Sequence, residues 1–296
     1  MYNETDIEAV HGPDQVAYAR NKNRGGRSSA KGRDYELIYA AYRIAVEAKE
    51  VLDRSENGSA VVFQDQILCF IDDLVADVRG TRILEQMKSG QANWGGVAKS
   101  VAGDFRLQDA LDQAMGIDAR YRLVVGDKQV AETLLTSRPK DLAYVEVAHF
   151  PASTNDRELI AAKNDLREAL DALSCRRPEP IVREQVFRTL LAGWCLSTGP
   201  QSVADIVNRA AEGPNGLLPP MLPDYALADN VRAALDAIPN LSYTITRNVF
   251  RYACGMMTGY ANYHCHTTQF GGFAEAIVNE RPADFPEFFA LMRRHL

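Results

Sequence analysis

No run of apolar residues in this sequence approaches the length of about 18 that a membrane-spanning helix requires, so no span is expected. The opening stretch MYNETDIEAVHGPDQ is polar and acidic and lacks the apolar centre of a secretory signal, and none is read there. Cysteine is scarce: 5 residues, at 69, 175, 195, 254 and 265, with no C-x-x-C pair. An odd, scattered set speaks against a disulfide framework and fits a reduced, cytoplasmic compartment. His264, Cys265 and His266, with Cys254 upstream, have no second close ligand pair, so packed histidines are expected there rather than zinc. There is no G-x-x-x-x-G-K-[ST], no G-x-G-x-x-G, no H-E-x-x-H and no G-x-S-x-G. These absences argue against an NTPase, a dinucleotide-binding enzyme, a zincin and an α/β-hydrolase. No repeat of solenoid period is found.

What is present suits a folded protein. A chain of 296 residues that is 46% hydrophobic and 24% charged can build a core, in two domains or one large one. The net charge of −6 does not drive the whole molecule onto nucleic acid. Its distribution is uneven, however. Residues 20–33 hold Arg20, Lys22, Arg24, Arg27, Lys31 and Arg33 and no acid, a local +6 that leaves −12 for the rest of the chain. Clustered lysine and arginine gain from counterion release on a phosphate backbone, so Arg24, Arg27, Lys31 and Arg33 are candidate DNA contacts. Polar and glycine-rich, residues 1–33 are expected to form a flexible basic arm.

From Asp34 the texture changes. DYELIYAAYRIAVEAKEVLD is alanine-rich, lacks glycine and proline, starts at a capping Asp and carries Glu36, Arg43, Glu47 and Glu50 as a polar stripe, which predicts a helix. Asn57-Gly58 and Arg79-Gly80-Thr81 read as turns, and a hairpin is expected over 67–88. A short helix follows at DFRLQDALDQAM, then strands at YRLVVG and AYVEVAHF. After Pro151, segments such as REQVFRTLLAGWCL, SVADIVNRAA and TRNVFRYACGMM predict helices. The expected organisation is therefore an arm (1–33), an α/β domain (34–150) and an all-helical domain (151–296).

The segment IDDLVADVRGTRILEQMK carries the chemistry. Folding it about 79–81 sets Asp73 against the end of the second strand, where Gln86 and Lys88, two residues apart, share a face. A carboxylate, an amide oxygen and an ammonium then meet. Mg²⁺ takes hard oxygen ligands, one or two carboxylates with water and phosphate, and a neighbouring lysine can orient or deprotonate water and stabilise phosphate charge. Glu36, from the first helix, can complete such a set. In KSGQANWGG, Trp94 between small residues can stack on a base or cover the core.

An acidic residue, a turn and then (D/E/Q)-x-K at the next strand end resembles the PD-(D/E)XK nuclease superfamily. With G-x-D-Y-E opening the helix, then IDDLV, then LEQMKSG and a Trp, it resembles the double-stranded-DNA endonuclease domain that begins many bacterial anti-phage effectors. The resemblance covers about 32–150 and implies an α/β restriction-endonuclease-like fold, Mg²⁺- or Mn²⁺-dependent cleavage of DNA, a sensing or assembly role for the all-helical domain, and assembly with itself or with other subunits of a defence complex. By position, Glu36 and Asp73 match metal-binding carboxylates, Gln86 the second acidic position and Lys88 the lysine. Asp72 and Glu85 are the neighbouring carboxylates able to add an oxygen, and Lys99 a further basic residue near the DNA. Gln86 stands where the pattern usually has Glu or Asp, which removes a negative charge. The alternatives are an inactive nucleic-acid-binding module of the same fold and a structural subunit of a defence complex.

Overall fold

The computed structural model describes residues 2–25, 30–95, 100–153, 155–213 and 216–296. Its first elements lie where an arm was expected. Asn3 closes a capping box with Asp6 at the start of α1 (Glu4–His11), Gly12 turns the chain at φ 83°, and Pro13 opens α2 (Pro13–Gly25). The segment is thus not a flexible arm over these residues. Ile7, Val16 and Ala19 are buried, and so few apolar positions among polar ones conceal the pattern in sequence.

The third helix, α3 (Ala30–Asp53), runs under a sheet of β1 (Val61–Gln64), β2 (Leu74–Val78), β3 (Thr81–Lys88), β4 (Ala119–Val125), β5 (Val145–His149) and β6 (Gln201–Ser202). The strand order is β5-β4-β3-β2-β1-β6. Antiparallel pairing joins β1, β2 and β3, and β3, β4 and β5 run parallel. Arg79 and Gly80 both have positive φ, 52° and 91°, so the β2–β3 turn matches the right-handed twist of its strands. The hairpin is shorter than the expected 67–88, because 65–73 forms a loop that delivers Asp72 and Asp73 to the strand start. Parallel strands need crossovers, supplied by α4 (Val101–Met115) and α5 (Lys128–Thr136).

Both sheet faces are covered. On one, Leu84, Leu123 and Val125 pack with Phe105, Leu111 and Leu134 and with Ile7, Val16 and Ala19 of the N-terminal helices. On the other, Val61, Phe63, Leu74, Ala76, Met87 and Val124 meet Tyr39, Ile44, Ala48 and Val51 of α3. That second layer extends well beyond residue 150. It includes residues of α6 (Asp156–Ala162), α7 (Asn164–Leu173), α8 (Pro180–Cys195) and α9 (Val203–Ala211), down to Leu217 and Leu218. A boundary at 150/151 therefore cuts through one apolar core, and β6 pairs directly with β1, Val62 opposite Ser202.

A further core gathers α10 (Asp229–Asp236), the sheet β7 (Leu241–Thr246), β8 (Val249–Cys254) and β9 (Met257–Tyr260), α11 (Thr268–Glu280) and α12 (Phe285–His295). The C-terminal part is thus not all-helical. The segment TRNVFRYACGMM, expected as helix, is a hairpin with Arg247 and Asn248 at positive φ, followed by a second turn at Gly255. The positive-φ turns at Arg247-Asn248 and at Gly255 break any helix through this segment, and β8 pairs with β7, where Leu241, Tyr243 and Ile245 alternate with exposed Ser242, Thr244 and Thr246. Among the described residues no helix is long and apolar enough to cross a membrane.

Candidate functional site

Loop 65–73, the end of β3 and the start of α3 enclose a pocket of about 460 Å³ lined by Glu36, Asp72, Asp73, Gln86, Met87 and Lys88, with Lys22 and Tyr35. The register explains the meeting. Leu74 pairs with Glu85, so the preceding Asp73 lies beside Gln86. One Asp73 oxygen accepts the Met87 amide N–H at 2.7 Å and the Gln86 side-chain amide. Lys88 is the last residue of β3, whose end is held by Gly126: its N–H donates to the Lys88 carbonyl at 2.9 Å, and a Cβ there would lie 2.7 Å from the Ser89 carbonyl oxygen. Glu36, in the second turn of α3, accepts from Gln66 at 3.3 Å and lies 3.8 Å from Arg33.

Two of the carboxylates, Glu36 and Asp72, are strongly perturbed. Burial pushes Glu36 up to about 8, with Asp73 adding to the shift and Arg33 opposing it. Asp72 is pushed up to about 7 by burial, opposed by Lys22 and assisted by Asp73. Asp72 is 1% exposed, and its Oδ1 has no hydrogen-bond partner.

Lys22, in the sequence one charge of the basic run and not among the candidate DNA contacts, is the pocket residue that the sequence did not single out; it enters from α2. Its ammonium donates to the Phe70 carbonyl, to Gln86 Oε1 at 2.7 Å and to Asp104 Oδ2 at 2.7 Å, and stands 3.8 Å from Asp72 Oδ1. Burial opposes its charge, yet the carboxylates of Asp72 and Asp104 raise its pKa above the ordinary value. Asp104, in the first turn of α4 behind the Ser100 cap, also accepts from Tyr18 at 2.7 Å. The spacing of Tyr18 and Lys22, four apart on one helix face, was the available signal.

Other candidates lie elsewhere. Glu85 faces away from the pocket, because neighbours in a strand point to opposite faces. It is wholly buried between Arg43, Arg122 at 2.7 Å and the Tyr39 hydroxyl at 2.8 Å, so it is no metal ligand in this register. Trp94 is 6% exposed, donates to the Leu134 carbonyl at 2.9 Å and packs against Phe105; it covers the core and offers no face for stacking. Arg33 pairs with Asp65 at 2.8 Å at the pocket rim, and Arg20 pairs with Glu4, so much of the arm's charge is compensated within the fold. Arg27 and Lys99 lie outside the described residues, as do the side chains of Arg24 and Lys31. His264 is buried with Nε2 3.3 Å from the Ala211 carbonyl, and burial lowers its pKa; His266 meets Asn248 at 3.1 Å.

The donor set suits a hard cation. Asp73, Gln86 Oε1 and the orphaned Asp72 oxygen are the ligand types Mg²⁺ takes, with Glu36 at the rim. Among the described residues no group of three or more His, Cys, Asp and Glu side chains is arranged to hold a metal ion. A Mg²⁺ site completed by an amide oxygen, water and a substrate phosphate does not need such a group. Compared with protein-family models, curated proteins and solved structures, the chain matches none.

Proposed function

We propose that this chain is a metal-dependent DNA endonuclease of restriction-endonuclease-like fold, acting as an effector in prokaryotic anti-phage defence. The observation that carries the reading is the meeting of Glu36, Asp73, Gln86 and Lys88 around one pocket, from a helix, a loop and a strand end that are far apart in sequence. The order of helix, hairpin, helix and parallel strand supports it. The buried, perturbed carboxylates support it as well, since active sites concentrate such groups.

Asp73, Gln86 Oε1 and Asp72 would hold Mg²⁺ or Mn²⁺, which supplies a Lewis acid for the scissile phosphate. The chain's own residues do the rest. Hydrogen bonds from Met87 and Gln86 fix the Asp73 carboxylate in place. Lys88 orients the attacking water and stabilises the charge that builds on the phosphate. Glu36, raised to about 8, holds a proton at the rim near neutral pH. Arg33, about a third exposed at the rim, contacts the DNA backbone. The C-terminal part, with Met256 fully exposed and Met257 and Phe289 partly so, serves self-association or docking to other subunits of a defence complex in the cytoplasm.

The test is cleavage of plasmid DNA with Mg²⁺ or Mn²⁺ by the parent and by Lys88→Ala. Loss of a group of this kind lowers the rate by about 10²–10⁴-fold. Equal cleavage by a folded Lys88→Ala variant removes the reading. A second reading, an inactive nucleic-acid-binding module, is favoured by Gln86 in place of a carboxylate; DNA binding without cleavage under any metal selects it.

A further inference from the structure

The Lys22 ammonium sits among oxygens from four places in the chain: the Phe70 carbonyl, Gln86 Oε1, Asp104 Oδ2 and, at 3.8 Å, Asp72 Oδ1. An all-oxygen surrounding with two carboxylates is what a hard cation requires. Gln86 Oε1 and Asp72 Oδ1 are also the oxygens that a divalent metal beside Asp73 would need. A single site does not give the same amide oxygen and carboxylate to an ammonium and to a dication at full strength, because the two charges repel.

Lys22 is delivered by a well-anchored element. Behind it, the α1–α2 pair buries Ile7, Val16 and Ala19 in the core beside α4. Tyr18 donates to the second oxygen of the same Asp104, and the Asn23 side chain donates to the Gln66 carbonyl at 2.7 Å and the Ile67 carbonyl at 3.0 Å. A long, flexible side chain carrying a charge thus reaches about 16% exposure on the tip of a helix whose preceding turns are fixed.

We infer that Lys22 is a built-in cation that occupies the metal position, so that the end of α2 is an autoinhibitory contact which must withdraw before a divalent metal binds. The inference rests on the nuclease reading of the pocket. It accounts for two features together: Gln86, a neutral ligand that accepts from an ammonium as readily as it binds a dication, and Asp104, a buried carboxylate outside the set that the reading requires. Withdrawal of Lys22 leaves Asp72 and Asp104 without their cation, which raises the pocket's attraction for Mg²⁺ at the moment the space opens.

The experiment compares Mn²⁺ binding by titration and metal-dependent plasmid cleavage for the full chain, Lys22→Met and Lys22→Gln, with amide exchange of residues 13–25 in the parent with and without saturating Mn²⁺. Both variants bind Mn²⁺ at least about tenfold tighter, because no ammonium has to be displaced from the metal position, and cut faster. In the parent, Mn²⁺ speeds amide exchange in 13–25, because the helix end loosens. Unchanged or weaker Mn²⁺ binding in the variants, with cleavage retained in the parent, overturns the inference and leaves the nuclease reading standing. No Mn²⁺ binding and no cleavage by parent or variants removes both. If the variants do not fold, exchange in the parent decides alone: unchanged exchange on Mn²⁺ binding overturns the inference, faster exchange upholds it.

Discussion

Glu85 and Gln86 are adjacent on β3, yet one belongs to the scaffold and the other to the pocket, and replacing each separates the two. Glu85 is wholly buried and pairs with Arg43, whose own side chain is 7% exposed, and with Arg122. In Glu85→Ala, Arg43 keeps Glu47, at 3.3 Å, as its carboxylate partner, and Arg122 keeps Glu146, at 2.9 Å on the surface. Breaking a buried pair by removing one partner costs about 3–5 kcal/mol, because the remaining charge stays out of water. Against a total of about 5–15 kcal/mol for a folded protein, that is a large share. With a urea slope of about 1–3 kcal/mol/M, the unfolding midpoint falls by at least about 1 M. Glu85→Gln keeps the volume and one acceptor for Tyr39 and loses less. Urea unfolding followed by circular dichroism measures the stability loss, and cleavage per folded molecule, taken at low temperature, is expected to be unchanged. Mn²⁺ binding lost with stability intact, within about 1 kcal/mol of the parent, would refute the reasoning: Glu85 would then belong to the metal site, and β3 would be in the wrong register.

Three other outcomes are expected. Glu36 and Asp72 have folded pKa values of about 8 and about 7, above their ordinary values, so the folded chain holds protons that the unfolded chain has released. Metal-free stability therefore falls as pH rises from about 4 to about 8 and levels off above, and Glu36→Gln flattens the fall; a stability that rises over this window contradicts the burial. Trp94→Ala costs about 3–5 kcal/mol by opening the core, while Trp94→Phe leaves DNA affinity unchanged in a gel-shift assay. A chain ending at Pro151 lacks the residues of α7, α8 and α9 that complete the core on α3 and β1, and calorimetry of that fragment shows no cooperative transition.

Composition and local pattern already determine several things about this protein. The helix over 34–53 follows from an alanine-rich stretch without breakers, although it begins earlier, at Ala30, and runs through Gly32; the β2–β3 turn follows from Arg79-Gly80, and β4 and β5 from short apolar runs, while their parallel pairing around α5 does not. The proximity of Asp73 to Gln86 and Lys88 follows from strand alternation and the hairpin turn, which are local rules. The tertiary structure alone decides the rest, because it depends on which surfaces meet. Polar α1 and α2 are held by only a few buried residues against α4, a contact with no local signature. The side of β3 that Glu85 faces depends on Arg43 and Arg122 arriving from α3 and β4. The core on α3 closes only when α7, α8 and α9 return across residue 150. Lys22 reads as one more charge in a basic run, and only the packing of α2 beside Asp104 and Gln86 puts its ammonium among the oxygens of the pocket, where long-range geometry sets its partners.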